Sequence, residues 1–262
     1  MNTLEPLTKF LPTGFATLVE REITRYVRRP LNTFLPPFIT NVLYFSVFGV
    51  ILGGRIQQQG GVPYIQFILP GLVVLGAISN AFENASFSIF HGRWNEYIHE
   101  ALTAPLTYRE MVGAYVAASA LRGALIGVLI ALIGAAFTTV GLASAFYVVA
   151  FMVVITTLFA AFGVVGGLWA EDFDHLTVLS QFILRPLVFF GGVFYSLDVL
   201  PPFWRTVSLL NPMVYMVNGV RYGFLGHADI RPGVSLAVLT GLTVVVLAID
   251  VWLFERGYGL TD

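Results

Sequence analysis

The chain has 262 residues, of which 57% are hydrophobic and 11% charged, against roughly 45–50% and about 25% in soluble domains. That composition, with a mean hydropathy of +0.81, is incompatible with a water-soluble fold, and a formal net charge of −1 gives no footing for nucleic acid or a strongly acidic partner. The absence of cysteine removes disulfides, thiol catalysis and cysteine metal sites.

Residues 1–30 carry charges as far as Arg28 and Arg29 and contain no apolar stretch of the kind a cleavable signal requires, so insertion is expected to rely on the first span. Within 14–29, Phe15, Leu18, Val19, Ile23, Tyr26 and Val27 fall mainly on one side of a helix, opposite Arg21, Arg25 and Arg28. This is the pattern of an interfacial amphipathic helix. It serves either as a topology anchor beside anionic headgroups or additionally as a contact for a cytosolic partner.

Six apolar runs follow, at 31–53, 63–83, 111–137, 142–169, 176–195 and 234–254, each near the roughly 20 residues that cross about 30 Å of hydrocarbon. Gly53 to Gly61 is polar and glycine-rich, and Thr138 to Gly141 leaves room only for a tight hairpin. The stretch 199–225 is apolar but holds Pro201, Pro202, Arg205, Asn211-Pro212 and Arg221. Asn211-Pro212 breaks a helix near its middle, so a pair of short re-entrant helices is expected there rather than a seventh span. The predicted fold is thus all-α: one polytopic membrane domain over 1–262 with six transmembrane helices.

Basic residues orient it. With six spans and the N-terminus inside, Lys9, Arg21, Arg25, Arg28, Arg29, Arg93, Arg109 and Arg256 are cytoplasmic, and Arg55, Arg205, Arg221 and Arg231 external. Both termini are then cytoplasmic. A seventh span would move Arg256 outside and Arg231 inside, which nearly balances the two faces.

Over 92–103, Trp94, Tyr97, Ile98, Ala101 and Leu102 repeat at helical spacing, with Arg93, Asn95, Glu96, His99, Glu100 and Thr103 on the other face. Pro105 ends this amphipathic helix, and Thr107 to Glu110 forms a capping-box pattern that starts the next span. The mixed-charge polar face suits docking on another protein as well as lying on the bilayer. Glu171, Asp172, Asp174 and His175 crowd a second turn on the same side. They resemble a carboxylate–imidazole metal set, but capping of the following helix by Asp172 or Asp174, plus partner contact, accounts for them. Glu83, Arg122, Arg185 and Asp250 are ionisable groups in or near spans and so functional candidates; the alternatives are that Glu83 and Asp250 reach the cytoplasmic interface and that Arg122 snorkels or pairs with an acid on a neighbouring helix, while Arg185, beside Pro186, is the best placed to face a cavity, with a structural pairing as its alternative.

No P-loop is present, since the single lysine is Lys9, and there is no GxSxG or HExxH motif. Energy must come from an ion gradient or another polypeptide.

Four elements occur in order: Glu100-Ala-Leu-Thr-Ala-Pro105; Gly191-Gly-Val-Phe-Tyr-Ser196 running into Leu200-Pro-Pro-Phe-Trp204; Leu210-Asn-Pro-Met-Val-Tyr215; and Arg221-Tyr-Gly-Phe-Leu-Gly226. Together they resemble the membrane subunit of type-two ABC transporters, the family of drug, polysaccharide and nodulation-factor exporter permeases. Ala101-Leu102 stands where many members carry two leucines. The resemblance implies a bacterial inner-membrane permease that dimerises with a second copy and works with two copies of a cytosolic ATPase subunit, which hold MgATP while this chain binds no cofactor. It implies a coupling helix at 92–103 and an ATPase interface drawn from Arg93, Trp94, Glu96, Tyr97, Glu100, Leu102, Glu171, Asp172 and Asp174. Its second and fifth helices line the path, which places Phe67, Phe82, Phe87, Phe182, Phe189 and Phe190 there, beside Arg185. The expected cargo is a small amphiphile, lipid-linked or drug-like. Two rivals stay open: an ion-driven secondary transporter using Glu83, Arg185 or Asp250, and a membrane enzyme on lipid-linked substrates, for which no acid, base and nucleophile cluster is evident.

Overall fold

A computed structural model describes residues 13–260 except 54, 57 and 60. Lys9 therefore lies outside the described residues, as do the side chains of residues 59, 183 and 185. Among the described residues, five helices are long and apolar enough to cross a membrane: Pro30–Leu52, Tyr64–Trp94, Tyr108–Phe137, Ala145–Trp169 and Pro232–Glu255.

The chain begins with α1 (Thr13–Val27), which buries Ala16, Leu18, Glu22 and Tyr26 along one side. Pro30 opens α2 (Pro30–Tyr44), where a missing N–H costs little, and the helix continues with wider π geometry over Phe45–Leu52. A two-residue hairpin, β1 (Gln58–Gln59) with β2 (Val62–Pro63), turns into α3 (Tyr64–Trp94). At 31 residues α3 is about 46 Å long, so it outruns the hydrocarbon. It is the hub of the bundle, packed by α5 (Tyr108–Phe137), α6 (Ala145–Trp169) and α10 (Pro212–Leu225). Gly163 and Gly167 make the α3–α6 approach possible: a Cβ there would sit 2.5 Å from the Phe82 carbonyl and 2.6 Å from the Ser86 carbonyl. Small residues four apart let membrane helices come together backbone to backbone.

The predicted amphipathic helix over 92–103 is two pieces. α3 runs through Trp94, Asn95 closes it with its side-chain amide on the His91 carbonyl at 2.9 Å, and Glu96 adopts φ +61° before α4 (Ile98–Thr103) begins. A left-handed backbone breaks the periodicity that the apolar spacing suggests. Trp94 thus points outward while Ile98 and Ala101 are buried. The capping box at Thr107 and Glu110 is present as predicted and starts α5 at Tyr108.

The expected span at 176–195 is a helical run in three parts, α7 (Phe173–Val178), a π stretch (Leu179–Leu184) and α8 (Arg185–Phe189), shorter than the other spans. Its start packs on Trp94, and the loop after it reaches Tyr64, whose hydroxyl donates to the Phe194 carbonyl at 3.2 Å. Beyond a 3₁₀ turn (Leu197–Val199), α9 (Pro202–Ser208) and α10 are separated at Asn211, which caps α10 through Met213 N and donates to the Leu187 carbonyl at 2.7 Å. α11 (Pro232–Glu255) completes the bundle against α6 and α10.

Contacts sort the helix ends into two groups. Gly14 meets Leu106, Trp94 meets Phe173, and Gly259 meets the Leu168 carbonyl, so both described chain ends lie at one end of the bundle, the α1 end. At the far end Gln66 bonds Thr139, Ser144 N donates to the Gly223 carbonyl, and Asn218 bonds the Ile230 carbonyl.

Candidate functional site

At the α1 end, a polar hub joins α1, α3 and α5. Glu22 follows Leu18 and precedes Tyr26 by one helical turn each, which places its carboxylate on the buried face, 3% exposed. It accepts from the guanidinia of Arg21 and Arg25, both at 3.2 Å, and from the Ser88 hydroxyl. Asn84, 1% exposed, is the next node. Its Oδ1 accepts from Arg25 at 3.0 Å and from Arg122 at 2.9 Å, while its Nδ2 donates to Ser119 at 2.8 Å. The Arg21 guanidinium reaches the Tyr115 hydroxyl at 3.3 Å and lies 5.8 Å from the Tyr97 ring. Burial pushes the Tyr26 hydroxyl up to about 12, against the pull of Arg122 and Arg25.

Beside the hub, the two turns predicted as a coupling face form one unit. Arg93 donates to the carbonyls of Gly167, Leu168 and Ala170 at 2.8, 2.8 and 2.9 Å, gathering the unpaired C-terminal carbonyls of α6. Phe173 packs edge-on against Phe90 at 4.8 Å and on Trp94 at 5.7 Å. Asp172 caps α7 through His175 N at 2.8 Å, and His175 lies on Trp169 at 5.1 Å. Among the described residues no three histidine or acidic side chains converge.

Deeper, a cleft of about 570 Å³ lies between α2, α3 and the run 179–189, with Glu83 and Arg122 in its lining. Asn32, Thr33, Pro36, Pro37, Thr40, Asn41 and Tyr44 form a stripe along α2, facing Gly76, Ser79, Asn80 and Glu83 on α3. The Asn41 and Asn80 amides donate to the carbonyls one turn back, which turns a polar residue inward at little cost. Leu184 is shared with a neighbouring apolar cavity of about 250 Å³ lined by Phe82, Phe159, Phe162 and Met213.

The predicted residues divide accordingly. Trp94, Glu96, Glu100, Glu171, Asp172 and Asp174 are exposed at the α1 end, Tyr97 and Leu102 half-buried, and Arg93 is turned inward to α6. Glu100 borders a groove of about 560 Å³ between α1 and α4 with Arg21, Arg25 and Arg28. Of the aromatic set, Phe189 lines the polar cleft and Phe82 the apolar cavity. Phe67 is buried beneath Arg221, whose guanidinium carbon is 3.9 Å from the ring and which donates to the Gly192 carbonyl at 2.7 Å. Phe87, Phe182 and Phe190 are exposed, and the Arg185 side chain is outside the described residues. Sequence reasoning passed over Glu22, Asn84 and the α2 stripe. For Glu22 the signal was there: an acid at i+4 from Leu18 with arginine three residues on.

A family model described as "ABC-2 type transporter" matches residues 13–225. The chain is 39% identical over 240 residues to the inner membrane transport permease YadH of Escherichia coli strain K12, covering 92% of this chain and 94% of that one. It is 22% identical over 250 residues to nodulation protein J of Rhizobium leguminosarum bv. viciae, covering 94% and 96%. A second nodulation protein J, from Rhizobium leguminosarum bv. trifolii, is 24% identical over 234 residues, covering 89% and 88%. With five long apolar helices among the described residues, this multi-pass membrane chain belongs to the ABC-2 type transporter membrane family.

Proposed function

We propose that this chain is the permease half of an ATP-driven exporter in a bacterial inner membrane, two copies working with two cytosolic ATPase subunits that hold MgATP. The α1 end faces the cytoplasm, and the run 173–194 is a sixth crossing. Its contacts support that: Phe173 touches Trp94 at one end of α3, and the Phe194 carbonyl accepts from Tyr64 at the other. The α9–α10 pair re-enters from the far side, since Met213 lies at mid-depth beside Phe82 while Ser144 binds Gly223 near the outer turn.

One observation carries the reading. The exposed acids Glu96, Glu100, Glu171 and Asp174 sit on turns that Arg93 and Phe173 lock together, and the adjoining hub runs through Asn84 to Arg122 at the cleft. Closure of the ATPases against these turns would displace α3 and α6 together and reshape the cleft, alternating its access. The permease name of the Escherichia coli relative supports transport and inner-membrane location, and the polar cleft beside an apolar cavity suits an amphiphile.

An ion-gradient carrier is favoured by one feature, the Asp250 carboxylate, fully buried on α11 with neither oxygen hydrogen-bonded. It is absent from the cleft lining. Charge reversal in a Glu96→Arg, Glu100→Arg variant decides: insertion persists while cargo-stimulated ATP hydrolysis by the copurified ATPase is lost. Uphill transport driven by a pH gradient without ATP overturns the proposal.

A further inference from the structure

The hub presents one of its arginines, Arg122, to the cleft. Arg21 and Arg25 converge on Glu22, and Arg25 meets Arg122 across the single oxygen of Asn84. The second acid is Glu83, beside Arg122 in the cleft lining. The side chains of Arg21 and Arg25 are 39% and 32% exposed and also border the groove that holds Glu20 and Glu100, so Arg122 is the guanidinium left to face the cleft, beside Glu83.

Donors are in surplus. The Arg25 Nε, the Arg122 Nε and the Tyr26 hydroxyl are fully buried atoms with no hydrogen-bond partner, and Tyr26 as a whole is 3% exposed. The Arg122 guanidinium carbon is 5.9 Å from the Tyr26 ring, so these donors belong to one neighbourhood. Asn84 cannot absorb them, because its oxygen already accepts from two arginines and its nitrogen from α3 donates to Ser119. Buried unpartnered donors beside a guanidinium are complementary to an anion. Arg122 also lines the cleft, and it is the one basic residue among that cleft's described lining.

Resting on the exporter reading, we infer that the cleft receives an amphiphile with a single anionic headgroup, a phosphate or carboxylate, docked on Arg122 with Arg25 and the Tyr26 hydroxyl behind it. Apart from Glu83, the rest of the described lining is hydroxyl, amide and apolar, so it offers no second cation for a polyanion. Across Leu184 the apolar cavity beside Phe82 takes the chain. Asn84 acts as a positioning residue that presents the Arg122 fork to the cleft.

The test uses the full permease with its ATPase in phosphatidylcholine nanodiscs, with dodecyl phosphate and dodecyl maltoside as probes of equal chain length. Binding is measured first without nucleotide. Dodecyl phosphate is expected to bind about tenfold or more tightly than the maltoside, the range of one charge-assisted contact. Arg122→Gln abolishes that preference, weakening dodecyl phosphate binding more than maltoside binding; Glu83→Gln, which removes the competing acid, strengthens it and serves if the first variant does not assemble. Equal affinities, or a preference that survives Arg122→Gln or is unmoved by Glu83→Gln, overturn the inference. Competition by inorganic phosphate alone assigns the site to free phosphate, and suppression by phosphatidylglycerol discs assigns it to a resident lipid; either overturns the cargo assignment. In proteoliposomes of the same complex, an anion preference without ATP-dependent transport refutes the exporter reading alone, whereas transport of both probes at equal half-saturation refutes the anion site alone.

Discussion

Replacing Glu22 by alanine removes the carboxylate on which the α1 hub converges. Removing one member of a buried ion pair ordinarily costs about 3–5 kcal/mol, because the partner is left as an unmatched buried charge. Here the side chains of Arg21 and Arg25 are 39% and 32% exposed, so both can swing toward water or headgroups and recover part of that. A net loss of about 2 kcal/mol is expected, roughly thirtyfold in the folding equilibrium. Glu22→Gln keeps the volume and an acceptor for Ser88, so it should lose only about half as much, on the order of 1 kcal/mol. Denaturant titration of the purified permease in mild detergent measures both. In the double variant Glu22→Ala, Arg25→Ala no charge is stranded at Arg25, so it should be more stable than Glu22→Ala alone. A Glu22→Ala protein within about 0.3 kcal/mol of the parent, or no recovery in the double variant, refutes the account of the hub.

At Gly167 a Cβ would sit 2.6 Å from the Ser86 carbonyl and 2.8 Å from the Ile89 Cβ, so Gly167→Val should destabilise by about 3 kcal/mol or more and shift the protein toward aggregates on size exclusion. Gly241→Ala, where nothing lies within 4 Å, is the neutral control in the same assay. Arg93→Ala frees the α6 carbonyls and unlocks the two turns. It should cost roughly 2 kcal/mol and depress cargo-stimulated ATP hydrolysis more than basal hydrolysis. Thr107→Ala removes an exposed helix cap and should cost about 1 kcal/mol by thermal shift, with transport unaffected.

Long apolar runs and caps were legible in the sequence because they depend on local chemistry. The start of α5 after Thr107 and the capping of α7 by Asp172 needed only propensities and hydrogen bonds within a few residues. The break at Glu96 was not legible, since the apolar spacing of 94–102 runs straight through it and only the φ of +61° reveals two separate faces. Arg93 shows the same limit: nothing local distinguishes an arginine that meets a partner from one that folds back on carbonyls more than 70 residues away. The polar cleft escaped notice because Asn41, Asn80 and the threonines of α2 do not disturb hydropathy. They become a site only when α2 and α3 face one another.

At the far end, Ser144 N donates to the Gly223 carbonyl at 2.9 Å and Ala143 N to the Phe224 carbonyl at 3.3 Å. The exposed hairpin tip at Gly141 and Leu142 is therefore tied by its main chain to the last turn of a helix whose own surface is largely hidden. A binder raised against that tip would act as a brake: it would hold α10, and with it the Arg221 contact to Gly192, without ever entering the cleft.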